Sequence, residues 1–203
     1  MSKIHEMHEH AVHLHENVPP DWYARALKEN LFLRFWHTMR FREVSKLIEP
    51  TGGKILDIGS ADGVFTKVIL DKSKADQIFG IDVLKSSVNW ANKHWKSKRM
   101  KFQVGDAHNL KFKINTLDAV FSLESLEHVL DPLKVLQEIH RVLKKGGYTV
   151  ILVPSENLLF QFAWLLRRKV LAKDVWEHTH LHNYSNGFLE ELMQKVGFRV
   201  EIN

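Results

Sequence analysis

The 203-residue sequence contains no cysteine. Disulfides, thiolate nucleophiles and zinc sites with cysteine ligands are therefore excluded. It has no apolar run long enough to span a bilayer, and the polar residues 1–6 do not form a secretory signal. A content of 44% hydrophobic and 26% charged residues is typical of a globular protein. These features predict a single-domain, cytoplasmic protein.

The sequence also lacks a strong excess of one charge. It contains 29 lysines and arginines and 24 acidic residues, which gives a net charge of +5. This balance permits binding to nucleic acid or anionic lipid without predicting either. The basic residues are scattered, with one cluster at 167–169.

The chain divides into three predicted regions. The first 20 residues are rich in histidine and are predicted to form a flexible, solvated arm. Pro19, Pro20 and Asp21 predict a helix start with Asp21 as the N-cap, and apolar residues at helical spacing predict an N-terminal helical cap over 21–53. The remainder, 54–203, is predicted to be the main domain.

From Lys54 onward, short apolar runs alternate with segments of helical periodicity. Strands are predicted at 54–58, 77–82, 100–104, 117–122, 147–153 and 198–202, and helices at 62–72, 85–96, 132–143 and 185–196. This alternation predicts an α/β fold, a doubly wound and mostly parallel sheet covered by helices on both faces. Such sheets bind ligands beyond the C-terminal ends of their strands, so the residues that follow each strand are the candidate site.

The loop after the first predicted strand is small and acidic. It reads Asp57-Ile58-Gly59-Ser60-Ala61-Asp62-Gly63 and lacks the G-x-G-x-x-G spacing of dinucleotide sites. A dinucleotide would place its pyrophosphate on this turn, where Asp62 would repel it. The turn suits a ligand with a cationic end and no phosphate, and S-adenosylmethionine fits that description.

The next two predicted strands also end in aspartate. Asp82 follows the glycine loop by about 20 residues, the spacing at which an acidic residue binds both ribose hydroxyls of a nucleoside. The third strand runs into Gly105-Asp106-Ala107, where a carboxylate could accept the adenine amino group. Each aspartate alone could be a helix N-cap, but three successive acidic strand ends favour an adenosine-type ligand.

From Lys54 to the end, the sequence resembles the class I S-adenosylmethionine-dependent methyltransferases. The similar segments are "ILDIGSADG", "GID", "GDA", "FSLESLEHVLDP" and "EIHRVLKKGGYTVILVP". The resemblance implies a Rossmann-like methyltransferase fold and, as cofactor contacts, Asp57, Gly59, Ser60, Ala61, Gly63, Asp82, Val83, Asp106, Ala107 and Leu123. One departure is Ala61, where most family members have a second glycine. The family's last antiparallel strand is not found before Asn203, which indicates a truncated form or a sheet edge completed in another way.

The segment after the fourth strand carries the candidate chemistry. If it is helical, Glu124, Glu127 and His128 lie on one face. His128 is then a candidate general base. The pattern E-x-x-E-H also resembles metal-dependent ubiquinone-biosynthesis O-methyltransferases and small-RNA 2′-O-methyltransferases. That resemblance implies a Mg²⁺ site of Glu124, Glu127, His128 and His180, the last chosen over His178 and His182. In non-metal members a Glu-His pair only fixes this loop and caps the next helix.

Residues 155–176 are longer than a minimal connection and strongly apolar. They predict a lid over a hydrophobic acceptor or a plain packing helix, with peripheral membrane contact through 158–169 as a further possibility. The sequence thus predicts methyl transfer from S-adenosylmethionine to a small, hydrophobic, hydroxyl-bearing acceptor. The alternatives are a metal-dependent RNA 2′-O-methyltransferase and a non-catalytic scaffold that binds the cofactor. A dinucleotide-dependent oxidoreductase is disfavoured by the acidic turn.

Overall fold

A five-stranded parallel sheet forms the centre of the protein in a computed structural model that describes residues 9, 12–13, 15, 17–154, 181–182, 184 and 186–201. The strands are β1 (Lys54–Ile58), β2 (Gln77–Asp82), β3 (Met100–Val104), β4 (Leu117–Leu123) and β5 (Leu143–Leu152). Their order is β3-β2-β1-β4-β5, and every neighbouring pair is parallel. The predicted strands 54–58, 77–82 and 100–104 are confirmed residue for residue. The order reverses at β1, so the crevice expected for a ligand lies between β1 and β4.

Six α-helices accompany these strands in the described residues. They are α1 (Trp22–Glu29), α2 (Leu31–Lys46), α3 (Val64–Ser73), α4 (Lys85–His94), α5 (Pro132–Val142) and α6 (Asn186–Val196). Two single-turn 3₁₀ helices, Ala107–Asn109 and Leu126–His128, follow β3 and β4. The doubly wound α/β fold and the N-terminal helices are therefore confirmed.

Alternate residues of the strands point to two separate cores. Ile55 and Phe121 pack with side chains of α2, α3 and α4 on one face of the sheet. Leu56 and Val120 pack with α5 and α6 on the other face. Burial on both faces explains why these strands are nearly continuous apolar runs.

The N-terminal layer is a bent helical pair. Asn30 separates α1 from α2, and its side chain caps α2 by accepting a hydrogen bond from the Leu33 N–H at 2.9 Å. α2 buries His37 and Val44 against the domain. Its opposite face leaves large apolar side chains in solvent, such as Leu31 (83% exposed) and Phe35 (64% exposed).

The C-terminal end differs from the prediction. Residues 198–201 are not in a strand, and residue 202 lies outside the described residues. After α6, Gly197 adopts a φ of 104°, and the Phe198 N–H donates to the Met193 carbonyl at 3.0 Å. This turn folds Phe198 against the ring of His140 instead of continuing the chain along the sheet.

The proposed lid over 155–176, including the candidate membrane segment 158–169, lies outside the described residues. Among the residues that the structure describes, no helix is both long and apolar enough to cross a membrane.

Candidate active site

A pocket lies at the C-terminal ends of β1 to β4, where the topology places a ligand crevice. Loops that follow four strands and the segment before α1 form its wall. The predicted site residues that line it are Gly59, Ala61, Asp82, Val83, Asp106, Ala107, Glu124 and His128. The predicted residues Asp57, Ser60, Gly63, Leu123 and Glu127 do not line it, and His180 lies outside the described residues.

Asp82 is fixed at the end of β2 by two backbone donors. Its Oδ2 accepts from the Ala61 N–H and its Oδ1 from the Leu84 N–H, both at 2.9 Å. Burial raises the pKa of this carboxyl above its ordinary value, against the effect of the two hydrogen bonds. Because a carboxylate has about four lone-pair sites, each oxygen can accept a further hydrogen bond from a ligand in the pocket.

Backbone geometry fixes the loop after β1 against its neighbours. Gly59 has a φ of 72°, and a Cβ atom there would lie 2.4 Å from the Ser125 Cβ atom. Glycine is required because the loops after β1 and β4 touch at this point. Ala61 also adopts a left-handed conformation, with a φ of 44°. This backbone explains why family members favour glycine there.

Gly63, the first residue before α3, serves packing and not the pocket. Its φ is 79°, and an added Cβ would meet the rings of Phe102 and Trp95 at under 3 Å. Ser60 is buried, with its N–H donating to the Ile81 carbonyl at 3.0 Å. Leu123 belongs to the core on the α3 side of the sheet.

The two aspartates of the loop are structural. The Asp57 carboxylate is buried and bonds the Thr66 hydroxyl of α3 at 2.5 Å, and burial raises its pKa to about 7. Asp62 is fully buried. Its Oδ2 accepts from the Ala24 N–H at 2.8 Å and its Oδ1 from the Val64 N–H at 3.3 Å, while burial raises its pKa to about 6. The expectation that Asp62 faces the cationic end of a ligand is wrong, because its oxygens are used by the first turns of α1 and α3.

Asp106, a predicted cofactor contact, is hydrogen-bonded to His108, which was not predicted to be a site residue. Asp106 caps the 3₁₀ turn after β3 through the His108 N–H, and its Oδ1 lies 2.6 Å from the His108 Nδ1. The His108 Nε2 accepts from the Asp131 N–H at 3.3 Å, so the ring carries its proton on Nδ1 and donates it to Asp106. His108 thereby fixes the orientation of Asp106. The signal in the sequence was a histidine two residues after a strand-end aspartate.

The segment after β4 is not the predicted helix. Glu124 has a φ of 54°, and its N–H donates to the Leu152 carbonyl of β5 at 2.7 Å, so the chain turns sharply before the 3₁₀ turn begins at Leu126. Glu124 and His128 both line the pocket, while Glu127 points into the protein with 1% exposure. The three side chains therefore do not share one helical face.

Leu181, His182 and Tyr184 support this 3₁₀ turn from outside. The Glu127 carbonyl accepts from the N–H groups of Leu181 and His182, at 2.8 and 3.2 Å. The His182 Nε2 lies 2.8 Å from the Val129 carbonyl oxygen, and the Tyr184 hydroxyl donates to the Leu126 carbonyl at 3.2 Å. His182 is thus the histidine of the 178–182 group that the structure places beside the turn.

A cation from the N-terminal layer lies among these acidic residues. Arg40 of α2 forms an ion pair with Glu124, and its charge lowers the pKa of Glu127, which burial nevertheless raises to about 7. Within the described residues, no group of three His, Asp or Glu side chains could hold a metal, so Glu124, Glu127 and His128 do not converge on one point there, and His180 lies outside those residues. The guanidinium of Arg40 already contacts one of the predicted ligands.

The N-terminal segment supplies part of the pocket wall, although none of its residues was predicted to be a site residue. His15, Val18, Pro19, Trp22 and Tyr23 line the pocket. The His15 ring packs edge-on against that of His128, with 4.7 Å between ring centroids. The aromatic pair directly after Pro-Pro-Asp was the available signal, but helical aromatic residues are more often core than site.

The wall fits S-adenosylmethionine by its hydrogen-bond acceptors and its charge. Asp82 offers acceptors for ribose hydroxyls, Asp106 lies one loop away, and Val83 and Ala107 provide apolar surface for a base. No lysine or arginine occurs among the described residues of this wall, so a pyrophosphate would have no counter-charge. The sequence argument from Asp62 therefore fails, and what disfavours a dinucleotide is the lack of a basic side chain in the described wall.

Comparison with known proteins agrees with this geometry. Residues 56–151 match the family model of a methyltransferase domain. The chain is 28% identical over 170 residues to a ubiquinone/menaquinone biosynthesis C-methyltransferase of Desulfotalea psychrophila, covering 76% of this chain and 69% of that protein. It is 34% identical over 113 residues to a demethylmenaquinone methyltransferase of Thermotoga maritima, covering 56% of this chain and 48% of that protein. The matched part of the chain thus covers about half to seven tenths of the length of these relatives.

A solved structure extends the likeness to the fold. It is the complex between the Haloferax volcanii Trm112 methyltransferase activator and a methyltransferase, with a TM-score of 0.69, 23% identity, and coverage of 89% of this chain and 76% of the other. The sheet order, the acidic strand ends and the matched family model together lead to one assignment. The chain belongs to the class I S-adenosylmethionine-dependent methyltransferases.

Proposed function

We propose that this chain transfers a methyl group from S-adenosylmethionine to a small hydrophobic acceptor that bears a phenolic hydroxyl, of the quinol class. The observation that carries the proposal is the composition of one pocket wall. His128 lies there beside the apolar side chains of Val18, Trp22 and Val129, and the same pocket contains Asp82. The names of the two relatives, both methyltransferases of quinone biosynthesis, support this acceptor class.

The chain's own residues would hold the cofactor from two sides. Asp82 would accept hydrogen bonds from the ribose hydroxyls, because its oxygens keep lone pairs beyond those used by Ala61 and Leu84. Asp106, oriented by His108, would lie at the adenine. When bound, S-adenosylmethionine supplies an electrophilic methyl group on a sulfonium, and its departure leaves a neutral thioether.

The protein needs no nucleophile of its own for this displacement. Its tasks are to align the acceptor with the methyl group and to remove the acceptor's proton. The His128 imidazole would take the phenolic proton, and the phenolate would form the bond to the methyl carbon as the carbon–sulfur bond breaks. A phenolate is nucleophilic at its oxygen and at the neighbouring ring carbon. After attack by carbon, the ring proton would leave that carbon and the oxygen would be protonated again, so one base would serve both O- and C-methylation.

The test is a methyl-transfer assay with labelled S-adenosylmethionine and a series of hydroquinones and catechols. We expect His128→Gln to lower kcat about 100-fold or more, the usual range for a general base. Affinity for S-adenosylhomocysteine, measured by calorimetry, should not change. His94→Gln, an exposed histidine on α4, is the matched control and should leave both quantities unchanged. Full activity in His128→Gln would contradict the proposed role of this residue.

The RNA 2′-O-methyltransferase alternative makes a separate prediction. It requires a basic groove and an affinity that falls steeply with salt. The described pocket wall carries no lysine or arginine, which favours the small molecule. Salt-sensitive methylation of RNA without methylation of any phenol would overturn the proposal, and cofactor binding without any transfer would support the scaffold alternative.

A further inference from the structure

Two carboxylates and one guanidinium meet behind the pocket wall. Glu124 follows β4 and pairs with Arg40 of α2, and Glu127 lies on the 3₁₀ turn, near enough for the charge of Arg40 to lower its pKa. Arg40 and Glu124 form an ion pair in which their side chains are only 18% and 20% exposed. Both carboxylate oxygens of Glu127 are buried and have no hydrogen-bond partner among the described residues.

We propose that Arg40 supplies, within this acidic cluster, the positive charge that the E-x-x-E-H resemblance assigns to a divalent metal ion. The site then works without a metal, and Arg40 is a positioning residue that holds the Glu124 carboxylate at the pocket wall. Arg40 does not line the pocket itself, whereas Glu124 lines it together with Ser125 and His128.

Charge and geometry both support this assignment. Burial lowers the pKa of Arg40, but the ordinary value of an arginine lies so far above neutral pH that the guanidinium stays charged there. Mg²⁺ needs several oxygen ligands in near-octahedral order, yet one of the candidate ligands, Glu124, is already committed to Arg40. A second cation placed between these carboxylates would also be repelled by the guanidinium at short range.

The placement of Glu124 shows why the sequence pattern alone misleads. Its φ of 54° turns it out of the 3₁₀ turn that carries Glu127 and His128. The spacing E-x-x-E-H is therefore met without a common helical face, and the Glu124 carboxylate pairs with Arg40 instead. Arg40 is 84 residues earlier in the chain, on an element outside the matched family segment 56–151.

The first experiment follows Mn²⁺, a spectroscopic probe for Mg²⁺ sites, by electron paramagnetic resonance with the unmodified protein. We expect no Mn²⁺ binding that depends on Glu124 or Glu127. Arg40→Met removes the charge and keeps much of the side-chain volume, and we expect it to bind Mn²⁺ about tenfold more tightly than the unmodified protein. The double variant Arg40→Met/Glu127→Gln should lose this gain, and Arg42→Met, an exposed arginine of α2, should not show it.

Two outcomes overturn the proposal. One is Mn²⁺ binding by the unmodified protein that Glu124→Gln or Glu127→Gln abolishes, a control that also separates this site from the histidine-rich N-terminus. The other is an Arg40→Met protein that binds S-adenosylhomocysteine normally and gains no Mn²⁺ affinity. The first of these measurements needs no Arg40 variant, so it decides the matter if Arg40→Met fails to fold.

A second experiment, which measures methylation activity, rests on the proposed function. We expect a chelator to leave the rate of phenol methylation unchanged, and Arg40→Met to lower kcat, with partial recovery in Arg40→Lys. A rate abolished by the chelator and restored by Mg²⁺ would overturn the inference. A complete lack of phenol methylation would instead contradict the proposed function, while the Mn²⁺ measurement would still test the role of Arg40.

Discussion

At the scale of the residue, Ala61 shows how one backbone angle bears on the site. Its φ of 44° places an L-residue in the left-handed region, while its N–H donates to Asp82. That conformation costs an alanine roughly 1–2 kcal/mol, and glycine avoids most of this cost. The loop therefore carries local strain next to the predicted ribose contact.

We expect Ala61→Gly to raise the free energy of unfolding by about 0.5–1 kcal/mol, because relief of the strain exceeds the added entropy of the unfolded chain. Urea denaturation measures the change. Ala91→Gly, in the buried interior of α4, is the control and should lower stability by about 1 kcal/mol or more. A loss of stability in Ala61→Gly would show that the alanine is not strained.

Asp57 gives the protein a specific pH dependence. Burial raises its pKa to about 7, whereas the unfolded chain releases this proton near pH 4. Folding thus favours the protonated carboxyl. The resulting stabilisation is fully present below about pH 4 and is lost as the pH rises to about 7.

Asp57→Asn should therefore change the slope of stability against pH. Between pH 4 and 7, we expect the unfolding free energy of the unmodified protein to fall, relative to that of the variant, by on the order of 1 kcal/mol per pH unit. Urea denaturation across this range measures it, and Asp71→Asn, an exposed residue of α3, is the control. Parallel curves for Asp57→Asn and the unmodified protein would contradict the predicted pKa.

At the scale of the element, the N-terminal helix is attached by a residue far away in sequence. Asp21 occupies the predicted N-cap position of α1, but its side chain makes no capping hydrogen bond and instead pairs with Arg25. Asp62 caps α1 from the loop after β1 by accepting the Ala24 N–H. This bond holds Trp22 and Tyr23 against the pocket.

The two aspartates should consequently differ on substitution. We expect Asp62→Ala to cost about 2 kcal/mol of unfolding free energy, because it leaves a backbone N–H of α1 without its acceptor. Asp21→Ala should cost less than about 0.5 kcal/mol, as for an exposed ion pair. Hydrogen exchange should become faster over 22–29 in the first variant only. Equal effects would show that Asp62 does not anchor α1.

At the scale of the whole molecule, cofactor binding and folding are linked. The pocket is built from loops after four strands and from the N-terminal segment, so a ligand there joins parts distant in sequence. A ligand that binds only the folded state stabilises it by about 2.7 kcal/mol at a concentration 100 times its Kd. For a chain of this length that corresponds to a rise in Tm of roughly 5–10 °C.

We expect saturating S-adenosylhomocysteine to produce this rise in differential scanning fluorimetry. Asp82→Asn should remove most of it, because the amide places an N–H₂ donor opposite a backbone N–H and loses acceptors for the ribose. Asp118→Asn, at the opposite end of the sheet on β4, should retain it. A full shift in Asp82→Asn would contradict the role proposed for this carboxylate.

The sequence by itself determined the sheet and the family. Apolar runs fixed β1 and β2 to the residue, because their central residues are buried in the sheet, and the alternation of buried Met100 and Phe102 with exposed Lys101 and Gln103 fixed the edge strand β3. The strand-end residues Asp82 and Asp106 follow from the same order, since parallel strands bring their C-terminal ends to one edge. The glycine at 59 was visible for the same reason.

Only the tertiary structure decided which acidic residues line the pocket. Asp57 and Asp62 lie in the same acidic loop region as the predicted contacts, but hydrogen bonds from the Thr66 hydroxyl and from the Ala24 N–H, which is 38 residues away, hold them inside the protein. Arg40 could not be predicted at the site, because an arginine on an amphipathic helix carries no local sign of the loop it meets. Sequence periodicity describes which face of an element is buried, whereas the partner across that face depends on how distant elements pack.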